Sequence, residues 1–215
     1  MKKVERLLAE KLLKISAIIL QVDNPFTWAS GWNSPIYTDN RKTLSYPDIR
    51  SFIKVELTRM ILENFKDAEV VAGVATGAIA QGALVADLLG LPYVYIRSTP
   101  KDHGLENLIE GNLRPGQKVV VIEDLISTGK SSLKAVEAVR AAGAEVIGMA
   151  ALFTYGFPVA EENFRQAGVK LLTLSNYNAM IEAALATDYI KESDVDTLKE
   201  WRQDPANWVP ACRKI

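Results

Sequence analysis

One cysteine and one histidine stand in 215 residues. A single thiol, Cys212, can neither close an internal disulfide nor supply the thiolate cluster of a structural zinc site, which excludes disulfide scaffolds and fits a reducing compartment. Charge of one sign is missing too: 25 Lys and Arg face 26 Asp and Glu, net −1. Without a global basic field there is nothing to draw nucleic acid or an acidic membrane surface, so any anion binding must be local. No apolar run approaches the roughly 20 residues of a membrane span. Glu10, Lys11 and Lys14 interrupt the stretch where a signal peptide would be uncharged. These shortages predict a cytoplasmic protein with neither nucleic acid nor membrane as partner. At 48% apolar and 24% charged the composition is that of a folded globular chain. Repeats, low-complexity tracts and Pro/Gly/Ser linkers are lacking as well, which predicts one domain over residues 1–215.

What is present is an alternation of short apolar runs with helical patterns. Leu7, Leu8, Leu12, Ile15 and Ile19 fall near helical spacing and predict a helix over 3–21, while Pro47 opens a second amphipathic pattern over 47–65. Strands are predicted at 69–74, 93–96, 118–122, 145–152 and 169–174, with helices at 78–89, 129–142 and 158–167 between them. Gly90 and Gly143 close two of these helices. Residues 97–116 read as a long loop and 176–215 as helices without chemistry. Strands apolar on both faces and separated by helices require crossover connections, so the fold class is α/β with a mainly parallel central sheet flanked by helices. In such sheets ligands bind at the carboxyl ends of the strands.

The richest segment is Val119-Val120-Val121-Ile122-Glu123-Asp124-Leu125-Ile126-Ser127-Thr128-Gly129-Lys130-Ser131. Two carboxylates stand at the mouth of a buried strand, and a loop of hydroxyls and one glycine runs from them into a helix start. Unpaired amides and the positive dipole end there suit a phosphate, which Ser127, Thr128, Gly129 and Lys130 could cradle. Carboxylates do not suit a phosphate; as acceptors for sugar hydroxyls they do, so the turn fits a sugar phosphate. A nucleotide phosphate loop would need glycine where Asp124 stands, and no strand–helix turn carries the dinucleotide glycine fingerprint. The plainer alternative is a pair of solvated charges before an ordinary helix cap. A second turn, Val74-Ala75-Thr76-Gly77-Ala78, has small residues that permit close backbone approach to a ligand, with an N-cap by Thr76 as its plain alternative. Arg97, Lys101 and His103 gather two permanent positive charges and one titratable group within seven residues, in a loop with Gly104 and Gly111 as candidate hinges.

The string from Val119 to Ser131 resembles the hallmark of the type I phosphoribosyltransferases. Tyr95-Ile96-Arg97-Ser98-Thr99-Pro100-Lys101-Asp102-His103-Gly104 is similar to the mobile catalytic loop of the orotate-using branch, and residues 26–41 resemble that branch's N-terminal substrate segment. The resemblance implies a type I phosphoribosyltransferase fold with an N-terminal hood segment (about 1–45), a core (about 66–175), a mobile loop (97–116) and C-terminal helices (176–215). It implies transfer of a phosphoribosyl group from its 1-diphosphate (PRPP) to orotate. Arg97, Lys101 and His103 would be catalytic and grip the diphosphate. Glu123 and Asp124 would hold the ribose hydroxyls, Leu125, Ile126, Ser127, Thr128, Gly129, Lys130 and Ser131 the 5′-phosphate, and Ser127 would also reach orotate. It further implies Mg2+ held mainly by the donor, and a homodimer whose loop is shared. Departures fall at Ser98, Ala29, Trp32 and Asn33, where the pattern often has basic residues. The orotate carboxylate would then rest on amides of residues 34–37 or on Arg41, and Trp32, Ile36 and Tyr37 are candidates to stack on a base, core packing being the plainer role for Ile36. A different base, or a non-catalytic PRPP sensor, are the rival readings.

Overall fold

The computed structural model describes residues 2–28, 30–99 and 108–210. In chain order the elements are α1 (Lys2–Lys14), β1 (Ile18–Leu20), β2 (Phe26–Thr27), β3 (Asn33–Ser34), β4 (Ile36–Thr38), a 3-10 turn (Asn40–Ser45), α2 (Pro47–Asn64), β5 (Val70–Val74), α3 (Ile79–Leu89), β6 (Tyr93–Ile96), β7 (Ile109–Glu110), β8 (Lys118–Ile126), α4 (Lys130–Ala141), β9 (Glu145–Thr154), α5 (Pro158–Gln166), β10 (Leu171–Asn176), α6 (Tyr177–Ala186) and α7 (Glu192–Gln203). They cluster into two units, Leu44–Leu174 and Met1–Thr43 with Ser175–Ile215.

The unit Leu44–Leu174 is built on a six-stranded sheet in the order β10-β9-β8-β5-β6-β7. β5 pairs in parallel with β6 and β8, and β8 in parallel with β9, while β7 is antiparallel to β6. Val70, Val71 and Ala72 on β5 and Val119 to Ile122 on β8 are fully buried. Helices on both faces of a parallel sheet leave no wet side, so these strands read as continuous apolar runs. Each such aliphatic side chain contributes roughly 1.5–3 kcal/mol on burial.

Three predicted boundaries differ by more than two residues. The first helix stops at Lys14, because Ser16 takes a left-handed φ of 53° and Ile18–Leu20 then pairs antiparallel with Ile36–Thr38. β8 does not end at Ile122: its ladder with β9 continues through Glu123↔Ala151, Leu125↔Phe153 and Ile126↔Thr154. Within the predicted 97–116 loop, Ile109–Glu110 forms an edge strand against Tyr95 and Ile96.

In the other unit α1 packs against α6, and Trp201 on α7 is fully buried. Its indole N–H donates to the Asn33 carbonyl (3.0 Å), and Trp28 meets its ring edge-on at 5.5 Å. No helix among the described residues is long and apolar enough to cross a membrane.

Candidate active site

β8 hands the chain to α4 through residues 127–129, and the geometry of that bend depends on Gly129. Its φ of +78° is left-handed, and a Cβ there would lie 2.8 Å from Cε2 of Phe164. Gly129 is itself the N-cap of α4 and no side chain caps the helix, so the plainer reading of Ser127 and Thr128 as helix caps fails. Lys130, Ser131 and Ser132 occupy the first turn, whose amides find no acceptor within the helix and point along its positive end. The bend is braced from α5, where Asn163 Nδ2 donates to the Thr128 carbonyl at 2.9 Å.

Successive residues of a strand face opposite sides, which separates the acid pair. Glu123 turns inward and is 5% exposed. Its Oε1 accepts the Asp124 backbone N–H (2.9 Å) and its Oε2 the Ser132 hydroxyl (2.9 Å). Burial first, then the neighbouring Asp124 carboxylate, push its pKa well above the ordinary 4.5, against the pull of the two donors. Asp124 is half-buried and lies against the second turn: a Cβ added at Gly77 would fall on its carboxylate. Only glycine lets the 74–78 backbone come so close.

That second turn is tied down by Ala75 N–H to the Ile96 carbonyl (2.8 Å) and Ala78 N–H to the Val74 carbonyl (3.0 Å). The peptide bond between Ala75 and Thr76 is cis. Thr76 does not cap α3, whose N-cap is Ala78 without a side-chain bond. Instead the Tyr93 hydroxyl donates to the Ile79 carbonyl in the first turn of α3 (2.7 Å), its ring fitting where Gly73 and Gly82 leave room. Burial pushes this phenol far up.

Arg97 follows β6 directly, its N–H bonded to the Leu108 carbonyl (2.8 Å) and its guanidinium 3.5 Å from Glu110 Oε1. The carboxyl ends of the parallel strands β5, β6 and β8 thus place the Gly77 turn, Arg97 and residues 123–131 along one edge of the sheet. Lys101 and His103 lie outside the described residues, as does Ala29. Sequence reasoning missed Ser132, Asn163, Phe164 and Tyr93, since each acts through one contact across the fold that no spacing announces.

The segment expected to meet a base lies in the other unit. Ile36 is fully buried, a core residue. Its N–H donates to Ser34 Oγ (3.2 Å), and Arg41 is bidentate on Asp39 at 2.7 and 3.1 Å, pulling that carboxyl below its usual range. Trp32 stacks on Trp28 at 6.4 Å, and Tyr37, 39% exposed, meets Phe26 at 5.6 Å. A cavity of about 520 Å³ between α6 and α7 contains none of the predicted site residues. No three His, Cys, Asp or Glu converge as a metal site among the described residues, although the two carboxylates are hard oxygen donors of the kind Mg2+ accepts alongside phosphate and water.

Residues 52–184 match the model of the phosphoribosyl transferase domain. An orotate phosphoribosyltransferase of Bacteroides thetaiotaomicron is 70% identical over 208 residues, 97% of this chain and 98% of that protein. Among solved structures, orotate phosphoribosyltransferase of Aeropyrum pernix superposes with a TM-score of 0.73 at 28% identity, over 86% of this chain and 99% of that one. The Mycobacterium tuberculosis orotate phosphoribosyltransferase in complex with PRPP gives 0.63 at 26% identity, over 82% and 98%. With this domain matched over 52–184 and full-length relatives of this likeness, the chain belongs to the orotate phosphoribosyltransferase family.

Proposed function

We propose that the chain carries out the family's reaction at the edge formed by β5, β6 and β8: the bond from ribose C1 to diphosphate breaks, a bond from C1 to a ring nitrogen of orotate forms as that nitrogen gives up its proton, and diphosphate leaves. The product is orotidine 5′-monophosphate, on the route to uridine monophosphate. The observation that carries this reading is the join between β8 and α4, where Asp124 meets the Gly77 turn and Glu123 meets the first turn of α4. A pentose seated on the acid pair would have its 5′-phosphate over the amides of 129–131 and its diphosphate beside the 74–78 turn.

The transition state places positive charge on the sugar ring oxygen and C1 and gathers negative charge on the leaving diphosphate. Fixed dipoles and charges aimed at those places are the main source of rate, roughly 3 kcal/mol or a hundredfold for a single contact. In this reading Glu123 and Asp124 orient the ribose through its hydroxyls, and the 125–131 segment holds the phosphate. Arg97, Lys101 and His103 face the diphosphate, with Lys101 or His103 giving a proton to it. Ser127 reaches the base. The assignments of Lys101 and His103 rest on the resemblance alone. Mg2+, held mainly by the donor's diphosphate oxygens and water, would offset the leaving group's charge. A homodimer with the 97–116 segment shared between copies, working in the cytoplasm, completes the proposal.

The test follows the fall in orotate absorbance with PRPP and Mg2+, with uracil and adenine run in parallel. Consumption of orotate and of neither other base is expected. Turnover of uracil or adenine in preference to orotate would overturn the base assignment, and no turnover of any base would overturn the reaction.

A further inference from the structure

The acid pair is less symmetric than a shared role on the ribose would require. Asp124 is half-buried, whereas Glu123 is 5% exposed and both its oxygens already accept a hydrogen bond. One of those donors is the hydroxyl of Ser132, itself 1% exposed, reaching back from α4 across nine residues of sequence at 2.9 Å. We propose that Ser132 is a positioning residue for the sugar donor: its hydroxyl fixes the Glu123 carboxylate, in one rotamer and as an acceptor, so that the remaining lone pairs meet a ribose hydroxyl.

The chemistry follows from what a buried carboxylate can do. Ionised, Glu123 accepts from every neighbour; protonated, it carries a hydrogen of its own and competes with the ribose as a donor. Burial and the Asp124 charge both push toward the protonated form, and a hydroxyl donating to Oε2 pushes back. Ser132 also couples two parts of the pocket. It sits in the first turn of α4, one residue beyond the segment expected to hold the phosphate, so its backbone belongs to the phosphate end and its side chain to the ribose end. Placing the helix start and orienting the acid are therefore one event.

This inference rests on the proposed reaction, and its test separates the two. Ser132→Ala removes the hydroxyl and keeps the backbone amide. PRPP binding by calorimetry in the presence of Mg2+, together with KM and kcat for PRPP and orotate, is measured for wild type, S132A, E123A and the double variant, each checked for folding by thermal melt. Expected is a weakening of PRPP binding by about tenfold in S132A, matched in its KM, with the orotate KM within about twofold of wild type and no further loss when S132A is added to E123A, which leaves the hydroxyl nothing to orient. Equal losses from S132A in the wild-type and E123A backgrounds would overturn the inference, as would a PRPP affinity unchanged by S132A or a parallel rise in both KM values. Wild-type protein that neither binds PRPP nor consumes orotate would overturn the reaction and the inference together; an active wild type matched by S132A would overturn the inference alone.

Discussion

Gly129→Ala puts a methyl group where the bend has no place for it. Two penalties are separable. The left-handed φ of +78° costs an L-residue about 1–2 kcal/mol, and a Cβ 2.8 Å from the Phe164 ring adds overpacking of about 1–3 kcal/mol. Phe164 is 3% exposed and can yield only a little, so a total near 2–3 kcal/mol is a fair lower value. That energy has two outlets. If the bend keeps its shape, stability falls, and for a chain of this size each kcal/mol shifts the melting temperature by about 2–4 °C, giving a drop of about 4–12 °C. If the bend relaxes, the amides leave the phosphate and PRPP affinity falls by about 30–150-fold at 1.4 kcal/mol per decade. Melting curves without ligand, paired with PRPP calorimetry, read both outlets at once. A variant that melts within a degree of wild type and binds PRPP within twofold would refute the reasoning, whatever its activity.

Asp124→Asn keeps the shape against Gly77 and removes the charge; PRPP KM should rise by about ten- to a hundredfold with the orotate KM little changed, and steady-state kinetics varying each substrate would show otherwise. Glu123 holds its proton to higher pH when folded than when unfolded, so its contribution to stability is fully present below the ordinary 4.5 and lost as pH rises through the raised folded value. Glu123→Gln has no such loss: the melting temperature of E123Q relative to wild type should climb from pH 4.5 to 8, and a constant difference would count against the burial argument. Tyr93→Phe loses one hydrogen bond to Ile79, about 1 kcal/mol, and should lower the melting temperature by a few degrees; the number of tyrosines that resist ultraviolet titration up to pH 12 should be one fewer in the variant than in wild type.

The strands and helices of the core were legible because Val70–Val74, Val119–Ile122 and the helical spacings around them are local patterns set by burial. The candidate site was legible for another reason: an acid pair and a glycine bend are a chemical string, contiguous at the carboxyl end of β8. What was hidden depended on partners distant in the chain. Glu123 and Asp124 look like the end of a strand, yet Ala151 to Thr154 of β9 carry the ladder past them. Ile15 and Ile19 keep helical spacing, but Ser16 turns the chain between them. Ile109 and Glu110, two residues among polar neighbours, become a strand only because Tyr95 and Ile96 offer an open edge. Asn163 and Phe164 brace a bend some 35 residues earlier, and Arg41 was spent on Asp39, two residues away.

β8 stands inside its sheet, with β9 on one side and β5 on the other as far as Gly73↔Ile122, and its ladder to β9 runs on past Glu123, so the acid pair continues directly from the region of such a sheet that opens last in hydrogen exchange. Edge elements can fray and refold many times while the floor of the proposed sugar site keeps its shape. The enzyme would then meet each new donor with that floor already assembled, and the entropic cost of ordering would fall on the periphery alone.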